Sequence, residues 1–291
     1  MLSLSKQAII NNTDLFKCPI CSSKMDIVEQ RSLICSHNHC FDLARSGYVN
    51  FLTRPIKTEY DKAMFHSRNI ISKYGFFYSI IDAVSDIIGD TVHNSNSDRI
   101  VILDAGCGEG SHLNQVIEKL NSKTQGEFTG VGMDISKEGI QIASKQYPDC
   151  IWSVGDLTNS PFMDNKFDVI LNILSPSNYA EFNRLLTKDG LLIKVVPGKD
   201  YLKELREALY HKTDKETYSN EKVLKHFCDN FNLVDSQQIH YNKTMDKETL
   251  AHLIKMTPLS WSAAEKEIKQ AVNSINSITV EFTILCGSRI V

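Results

Sequence analysis

The segment Ile100-Val101-Ile102-Leu103-Asp104-Ala105-Gly106-Cys107-Gly108-Glu109-Gly110 decides the fold of this chain. Its apolar first part predicts a buried strand, and the glycines predict a tight turn into a helix around residues 113–120. Glycines at such a turn let the backbone approach a ligand closely and point N–H groups at it. The segment therefore indicates an α/β domain with a ligand at this turn. A tight turn without a ligand is the alternative.

Further apolar runs alternate with helical patterns downstream of this turn. Strands are predicted at 128–133, 151–154, 169–174, 191–196 and 278–285, and a helix from Ser136 to Tyr147, ahead of Pro148. Strands that alternate with helices form βαβ units and a parallel sheet. We therefore predict a doubly wound α/β domain.

Acidic residues follow the strands in register with the glycine turn. The dinucleotide fingerprint needs a glycine where Ser111 stands, whereas the spacing Asp-x-Gly-x-Gly-x-Gly from Asp104 to Gly110 resembles the cofactor loop of class I methyltransferases. Asp134 ends the next strand, where a carboxylate can accept bonds from ribose hydroxyls, and Asp156 follows the third, where that superfamily contacts adenine. This pattern predicts S-adenosylmethionine as the cofactor. Its predicted binding residues are Asp104, Gly106, Gly108, Gly110, Asp134 and Asp156.

The fourth strand ends at the edge where such enzymes hold the methyl acceptor. Its sequence, Asn172-Ile173-Leu174-Ser175-Pro176-Ser177, differs from the Asn-Pro-Pro-aromatic motif of exocyclic amino-group methyltransferases. The difference argues against an adenine N6 or a glutamine amide as acceptor. A plain turn at the strand end is the alternative.

Length and composition limit the classes of protein. The 291 residues suffice for one large domain and a smaller one. A net charge of −3 gives no overall electrostatic reason to bind nucleic acid, so any RNA contact needs a local basic surface. Because the sequence shows neither a secretory signal nor an apolar run of about 20 residues, we expect a cytoplasmic protein with reduced thiols.

A cysteine cluster near the N-terminus predicts a metal site. Cys18-Pro19-Ile20-Cys21, followed by Cys35 and His39, has the spacing of a Cys₃His zinc site. His37 and Cys40 are the alternatives for the fourth ligand. Four protein ligands leave no open position, which indicates a structural zinc ion. A redox role is disfavoured because no thioredoxin-like pattern surrounds the Cys-x-x-Cys pair.

The chain divides into two predicted units. Residues 1–60 form a small zinc-binding module, with too few apolar residues for a core of its own. Residues 61–291 form the methyltransferase domain, which begins with one amphipathic helix over 61–89. A polar loop at 93–98 leads into the first strand.

Several motifs in this order resemble one family. They are the Cys18 to His39 pattern, the stretch Phe41-Asp42 to Gly47-Tyr48-Val49-Asn50, the Asp104 to Gly110 loop, and Met256-Thr257-Pro258-Leu259-Ser260-Trp261. Together they resemble the RlmA family of 23S rRNA (guanine-N1)-methyltransferases, which includes enzymes linked to tylosin resistance. The resemblance covers nearly the whole chain.

The resemblance implies a substrate and further site residues. The methyl acceptor would be N1 of a guanine in a domain II hairpin of 23S rRNA, held in a cleft between the two units. Zinc ligands would be Cys18, Cys21, Cys35 and His39, and cofactor contacts would include Gly108, Glu109, Phe77 and Tyr201. Core packing is the alternative for the two aromatic residues. Relatives with a paired cleft suggest a homodimer.

A local basic surface is available for RNA. Residues 1–60 contain seven lysines and arginines against five acidic residues. Candidates for phosphate contact and base stacking are Arg45, Arg54, Lys57, Arg68, Tyr48, Phe51 and Tyr60. Guanine N1 must also lose its proton, and the sequence identifies no general base for it. The competing hypothesis is a class I methyltransferase for another RNA or a small molecule.

Overall fold

The structure is a computed structural model that describes residues 3–56, 60–93, 99–124, 126–210 and 218–290. Lys57 and the predicted loop beyond His93 lie outside these ranges. Among the described helices, none is both long and apolar enough to cross a membrane.

The chain is built from alternating helices and strands. The helices are α1 (Leu4–Asn11), α2 (Lys62–Lys73), α3 (Tyr78–His93), α4 (Ser111–Lys123), α5 (Lys137–Gln146), α6 (Tyr179–Leu185), α7 (Lys203–Tyr210), α8 (Glu221–Cys228), α9 (Lys247–Met256) and α10 (Glu265–Ser274). The strands are β1 (Met25–Val28), β2 (Ser32–Cys35), β3 (Cys40–Asp42), β4 (Tyr48–Asn50), β5 (Arg99–Ala105), β6 (Glu127–Asp134), β7 (Ile151–Val154), β8 (Phe167–Ile173), β9 (Leu186–Pro197), β10 (Phe231–Thr244) and β11 (Ser277–Arg289).

Eight strands form one sheet in the order β10-β11-β9-β8-β5-β6-β7-β4. The pairs from β9 to β4 are parallel, whereas β11 runs antiparallel to both β9 and β10. The order reverses at β5, and ligands bind at the carboxyl ends of strands around such a switch point. The predicted class I, Rossmann-like α/β fold is confirmed.

Alternating residues of β5 reach opposite faces of the sheet. Ile100 and Ile102 face a core that includes Val84 of α3 and Leu113 of α4. Val101 and Leu103 face a second core, which contains Phe182 of α6, Phe227 of α8 and several residues from the N-terminal part of the chain, namely Ile9, Phe16, Val49 and Phe51. The N-terminal segment thus helps to cover one face of the large sheet.

This packing replaces a crossover helix. The connection between β7 and β8, residues 155–166, is irregular. Backbone hydrogen bonds join it to the N-terminal segment, from Lys17 N to Pro161 O (3.0 Å) and from Met163 N to Leu15 O (2.8 Å). The N-terminal segment therefore lies where a helix after β7 would otherwise shield the sheet.

The N-terminal segment joins the two sheets of the structure. Strands β1, β2 and β3 form a small antiparallel sheet, while β4 pairs in parallel with β7 in the large one. Phe51 N then donates to Val154 O at 2.9 Å. The domain boundary at residue 60 stays a prediction. Strand β4 precedes this boundary but belongs to the large sheet.

The single helix predicted for 61–89 is wrong, since two helices, α2 and α3, occupy this region. Gly75 lies between them with φ +82°, a left-handed conformation that favours glycine and ends α2. Its amide donates to Ser72 O at 3.0 Å. Apolar spacing continued through the break because Phe77 and Ile81 also pack in the core.

Candidate active site and metal centre

The glycine turn after β5 leaves room at the carboxyl end of the sheet. Gly106, Gly108 and Gly110 have φ values of +86°, +59° and +84°. A Cβ at Gly106 would overlap Ser175 Oγ, and one at Gly108 would lie 2.8 Å from an Arg68 nitrogen. Gly106 and Gly108 border a cavity, whereas Gly110 packs under Trp152. The first two glycines therefore suit a ligand close to the backbone, and Gly110 suits helix packing.

Asp134, at the end of β6, braces this turn. Its carboxylate accepts hydrogen bonds from the amides of Gly108 and Ser136, both at 2.8 Å. Burial raises the pKa of Asp134, and these amide hydrogen bonds oppose the rise. The side chain also borders the cavity. The structure thus brings Asp134 and the glycine turn together as the sequence predicts.

Two further acidic residues lie behind the turn. Burial raises the pKa of Asp104 to about 7; the carboxylates of Asp134 and Glu109 add to the rise and Arg68 opposes it. Glu109 accepts hydrogen bonds from the amide and hydroxyl of Ser111, both at 2.8 Å. Asp104 and Glu109 are buried and do not line the cavity. Their predicted contact with cofactor stays a prediction.

Arg68 lies among these acids. Its Nε is 3.5 Å from Glu109 Oε1, and it also lines the cavity. The sequence placed Arg68 with residues for RNA phosphate contact. The structure instead pairs it with Glu109, because α2 packs across the carboxyl end of the sheet, over the glycine turn.

The cavity measures about 1320 Å³ and combines several predicted residues. From the predicted cofactor set it is lined by Phe77, Gly106, Gly108, Asp134, Asp156 and Tyr201. Asp156 also accepts a hydrogen bond from Thr158 N at 2.8 Å, which fixes the loop after β7. The volume exceeds the several hundred Å³ of a typical small-molecule pocket. There is room for a cofactor and part of a second substrate.

Phe77 and Tyr201, the two predicted aromatic contacts of the cofactor, line the cavity and also pack against core residues. The Phe77 ring lies 4.6 Å from the His112 ring, and the Tyr201 ring lies 4.8 Å from that of Phe282. Burial raises the pKa of Tyr201 above its ordinary value. Packing and cavity lining are therefore compatible at these positions.

The motif Met256 to Trp261, which begins with the last residue of α9, contributes another part of the cavity wall. Met256, Thr257, Pro258 and Leu259 line the cavity, and the exposed Trp261 ring lies edge-on to Tyr60 at 5.5 Å. This pair provides aromatic surface at the cavity mouth.

Two aromatic candidates for base stacking are excluded by burial. Tyr48 and Phe51 are only 6% and 3% exposed, because β4 and the residue after it belong to the large sheet. Tyr60, at 40% exposed, is not excluded in this way. Arg45 and Arg54 are also exposed, as the RNA-contact prediction requires.

Sequence reasoning missed a buried lysine at the cavity wall. Lys194 is 4% exposed, and its Nζ donates to Asn172 Oδ1 and Ser177 Oγ, both at 2.6 Å. Burial lowers the pKa of Lys194 to about 8. A single lysine inside the apolar run 191–196 was the available signal.

The metal centre is assembled by two turns. Cys18 and Cys21 come from one, and Cys35 and His39 from the other; their ligand atoms all lie within 4.8 Å of one another. The sulfur atoms of Cys21 and Cys35 are 3.6 Å apart, which suits ligands sharing one zinc ion with bonds of about 2.3 Å. The four residues therefore fit a tetrahedral site with no vacant position.

Local backbone geometry forms both turns. Ser22 and Asn38 adopt left-handed φ values of +60° and +61°. Their backbone N–H groups close the two turns by donating hydrogen bonds to the carbonyl oxygens of Cys18 and Cys35, respectively. Hydrogen bonding to Ser23 lowers the pKa of the Cys21 thiol to about 5, which favours the thiolate that binds metal. Of the alternative ligands, Cys40 is exposed and its thiol approaches Asp42 instead.

Comparisons with known proteins find matches for both parts of the chain. Residues 16–58 match the family described as "RlmA, N-terminal", a zinc ribbon, and residues 96–271 match "Methyltransferase domain". A putative 23S rRNA (guanine-N(1)-)-methyltransferase, YxjB, of Bacillus subtilis (strain 168) is 45% identical, over 94% of this chain and 97% of the relative.

Two more distant relatives have related names. A 23S rRNA (guanine(748)-N(1))-methyltransferase of Streptomyces fradiae is 26% identical, over 92% of this chain and 95% of the relative. A putative 23S rRNA (guanine-N(1)-)-methyltransferase of Micromonospora griseorubida is 30% identical, over 66% of this chain and 69% of the relative.

The domain matches and the Cys₃His cluster identify the two cofactors as S-adenosylmethionine and a structural zinc ion. The near full-length likeness to the Bacillus subtilis relative covers both the zinc ribbon and the methyltransferase domain. The chain therefore belongs to the RlmA family of 23S rRNA (guanine-N1)-methyltransferases.

Proposed function

We propose that this protein transfers a methyl group from S-adenosylmethionine to N1 of a guanine in a domain II hairpin of 23S rRNA. One observation carries the proposal: a single cavity joins the glycine turn and Asp134 to residues Met256 to Leu259, which belong to a motif of the RlmA resemblance. The names of the Bacillus and Streptomyces relatives, which cover nearly all of the chain, support the base and the atom.

We assign the cofactor to the side of the cavity formed by β5, β6 and β7. Gly106 and Gly108 would face its amino-acid part, Asp134 its ribose and Asp156 its adenine, as the order of strand ends suggests. Asp104, Glu109 and Gly110 would support this turn from behind, and Phe77 and Tyr201 would contact the cofactor from the wall.

The main task of the protein in methyl transfer is to position the two substrates. The bound sulfonium supplies an activated methyl group, so the chain must orient the acceptor in line and exclude water. Guanine N1 lies on the Watson–Crick edge, and the base must be unpaired or turned out of its stack to reach a buried site. Tyr60 and Trp261, at the mouth, are placed to stack with such a base.

We propose that the zinc-binding segment contacts the RNA backbone. Arg45 and Arg54 are exposed on or just after it, and cationic side chains supply most of the affinity for phosphates. The zinc ion would hold this segment in shape without taking part in the reaction, because its four ligands leave no open position.

Reverse transcription tests the proposal, because a methyl group on guanine N1 blocks base pairing and stops the polymerase. We expect a stop in domain II of 23S rRNA from cells that carry the gene, no stop in a deletion strain, and its return on complementation. A stop that persists in the deletion strain contradicts the proposal. If the deletion removes a stop in another domain, rRNA methylation stands and the domain II assignment is wrong.

A further inference from the structure

Lys194 places a cationic group in the wall of the active-site cavity. Its Nζ donates to Asn172 Oδ1 (2.6 Å), Ser177 Oγ (2.6 Å) and Ser175 O (3.4 Å). None of these three acceptors carries a charge. Removing an ammonium group from water is costly unless an opposite charge compensates it.

The surrounding hydrogen bonds fix the direction of this group. The Asn172 amide nitrogen donates to Ala105 O at 3.1 Å and to Pro176 O at 2.9 Å, so its oxygen must face Lys194. The Ser177 hydroxyl donates to that same oxygen at 2.9 Å and can only accept from Lys194. Three acceptors match the three hydrogens of an ammonium group and leave no place for the lone pair of a neutral amine.

The position of Lys194 is the one at which the methyl acceptor is expected. Asn172 and Lys194 are paired neighbours near the carboxyl ends of β8 and β9. Strand β8 lies next to β5, whose glycine turn faces the cofactor side, and the segment Leu174–Ser177 follows β8 directly. An acceptor between these walls would lie beside the weakest of the three hydrogen bonds, the one to Ser175 O.

Other ionisable side chains among the described residues also line the cavity. Burial alone lowers the pKa of Lys194. The cavity is also lined by Asp134 and Asp156 on the cofactor side and by Arg68, Arg206, His226, Tyr179, Tyr60, Tyr201, Tyr210 and Tyr218 elsewhere. Tyr179 is linked to Ser177 through its hydroxyl, and the His226 ring lies 4.9 Å from the Tyr179 ring.

The inference rests on the proposed function. During the reaction the N1–H bond of guanine breaks and its electron pair forms the bond to the methyl carbon. The pair of the carbon–sulfur bond stays on sulfur, and the proton passes to bulk water outside the reacting centre. As N1 loses its proton, negative charge spreads over the ring to O6. We propose that the Lys194 ammonium group exchanges its contact with Ser175 O for one with guanine O6 and stabilises this charge.

This role differs from that of a general base. Groups that stabilise developing charge in a dry site contribute about 100- to 1000-fold in rate. Asn172 acts as a positioning residue, since it orients the ammonium group without contact with the base. The charged form of Lys194 is required, so its contribution is present below a pH of about 8 and is lost above it.

The test measures single-turnover methylation of a hairpin RNA by the zinc-loaded protein at saturating cofactor. At pH 7 we expect Lys194→Met to be about 100-fold slower or more, and Lys194→Arg, which keeps the charge, to stay within about tenfold of the original protein. Lys188→Met, an exposed lysine near the other end of β9, is the matched control and should be unchanged. The zinc content, measured by mass spectrometry, and the cofactor dissociation constant, measured by calorimetry, should be unaltered in all three variants.

The pH dependence distinguishes charge stabilisation from proton abstraction. The ratio of the original rate to the Lys194→Met rate cancels the titration of guanine itself, and we expect it to fall by about tenfold per pH unit above about 8. The ratio of the original rate to the Lys194→Arg rate should also fall above a pH of about 8, because arginine stays charged. This second ratio tests the proposal even if Lys194→Met fails to fold.

Three results would overturn the inference. The first is a Lys194→Met rate within threefold of the original, and the second is a Lys194→Arg rate as low as that of Lys194→Met. The third is a ratio of the original rate to either variant's rate that rises through pH 8. A hairpin left unmethylated at guanine N1 by the original protein would instead refute the proposed function, so the two failures are distinguishable.

Discussion

Replacing Asp104 with asparagine should stabilise the protein without cofactor. The carboxyl group is buried, with its pKa raised from 3.8 to about 7. A shift of about 3 units corresponds to a cost on the order of 4 kcal/mol for holding the ionised group in the folded state. Asparagine has nearly the same shape and no charge, so Asp104→Asn removes this cost.

The gain must depend on pH in one direction. Between pH 3.8 and about 7 the folded state keeps a proton on Asp104 that the unfolded state has lost. The original protein therefore loses stability as pH rises through this range, whereas Asp104→Asn does not. We expect a small difference near pH 4, growing to at most about 4 kcal/mol above pH 7.

Urea unfolding of the zinc-loaded protein at several pH values measures this difference. Because the zinc site is the same in both proteins, its own pH dependence cancels. Asp149→Asn, an exposed aspartate, is the matched control and should change stability by less than about 0.5 kcal/mol at any pH. A pH-independent difference, or an Asp104→Asn variant less stable than the original at pH 8, would refute the reasoning.

The remaining predictions concern the metal and the RNA. Cys18→Ser/Cys21→Ser should reduce zinc from stoichiometric to near zero by mass spectrometry, whereas Cys40→Ser, outside the cluster, should keep it; retained zinc in the double variant contradicts the assigned ligands. Trp261→Ala should weaken hairpin binding by about 5- to 150-fold, since stacking contributes about 1–3 kcal/mol per base. The cofactor dissociation constant should not change, and an unaltered RNA affinity would exclude Trp261 from base contact.

Strong local patterns made much of the sheet predictable. The strand predicted at 151–154 has the same bounds in the structure, and Asp134 and Asp156, both predicted cofactor residues, border the cavity. These features depend on short apolar runs and on residues at strand ends, which sequence displays directly. Spacing identified the three cysteine ligands of the zinc site for the same reason, whereas it left the fourth ligand open between His39 and its neighbours His37 and Cys40.

The missed elements depend on tertiary contacts. Strand β10 has an almost wholly exposed, polar sequence and exists because it pairs along its length with β11. Glu109 could be placed near the cofactor loop by its position, but its orientation toward Ser111 and Arg68 depends on how α2 packs. Lys194 was missed because its significance comes from Asn172, a residue 22 positions earlier that lies beside it only in the sheet.

The N-terminal segment takes the place of a crossover helix, and this limits how the protein can exchange modules in evolution. Where a module is only tethered, recombination can exchange it for another and leave the enzyme intact. Here the first fifty residues shield Val101 and Leu103 and hydrogen-bond to the edge of β7. A gene fusion that substituted another RNA-binding module would expose an apolar sheet face and an open edge. Exchange of the zinc ribbon alone would therefore destabilise this methyltransferase domain.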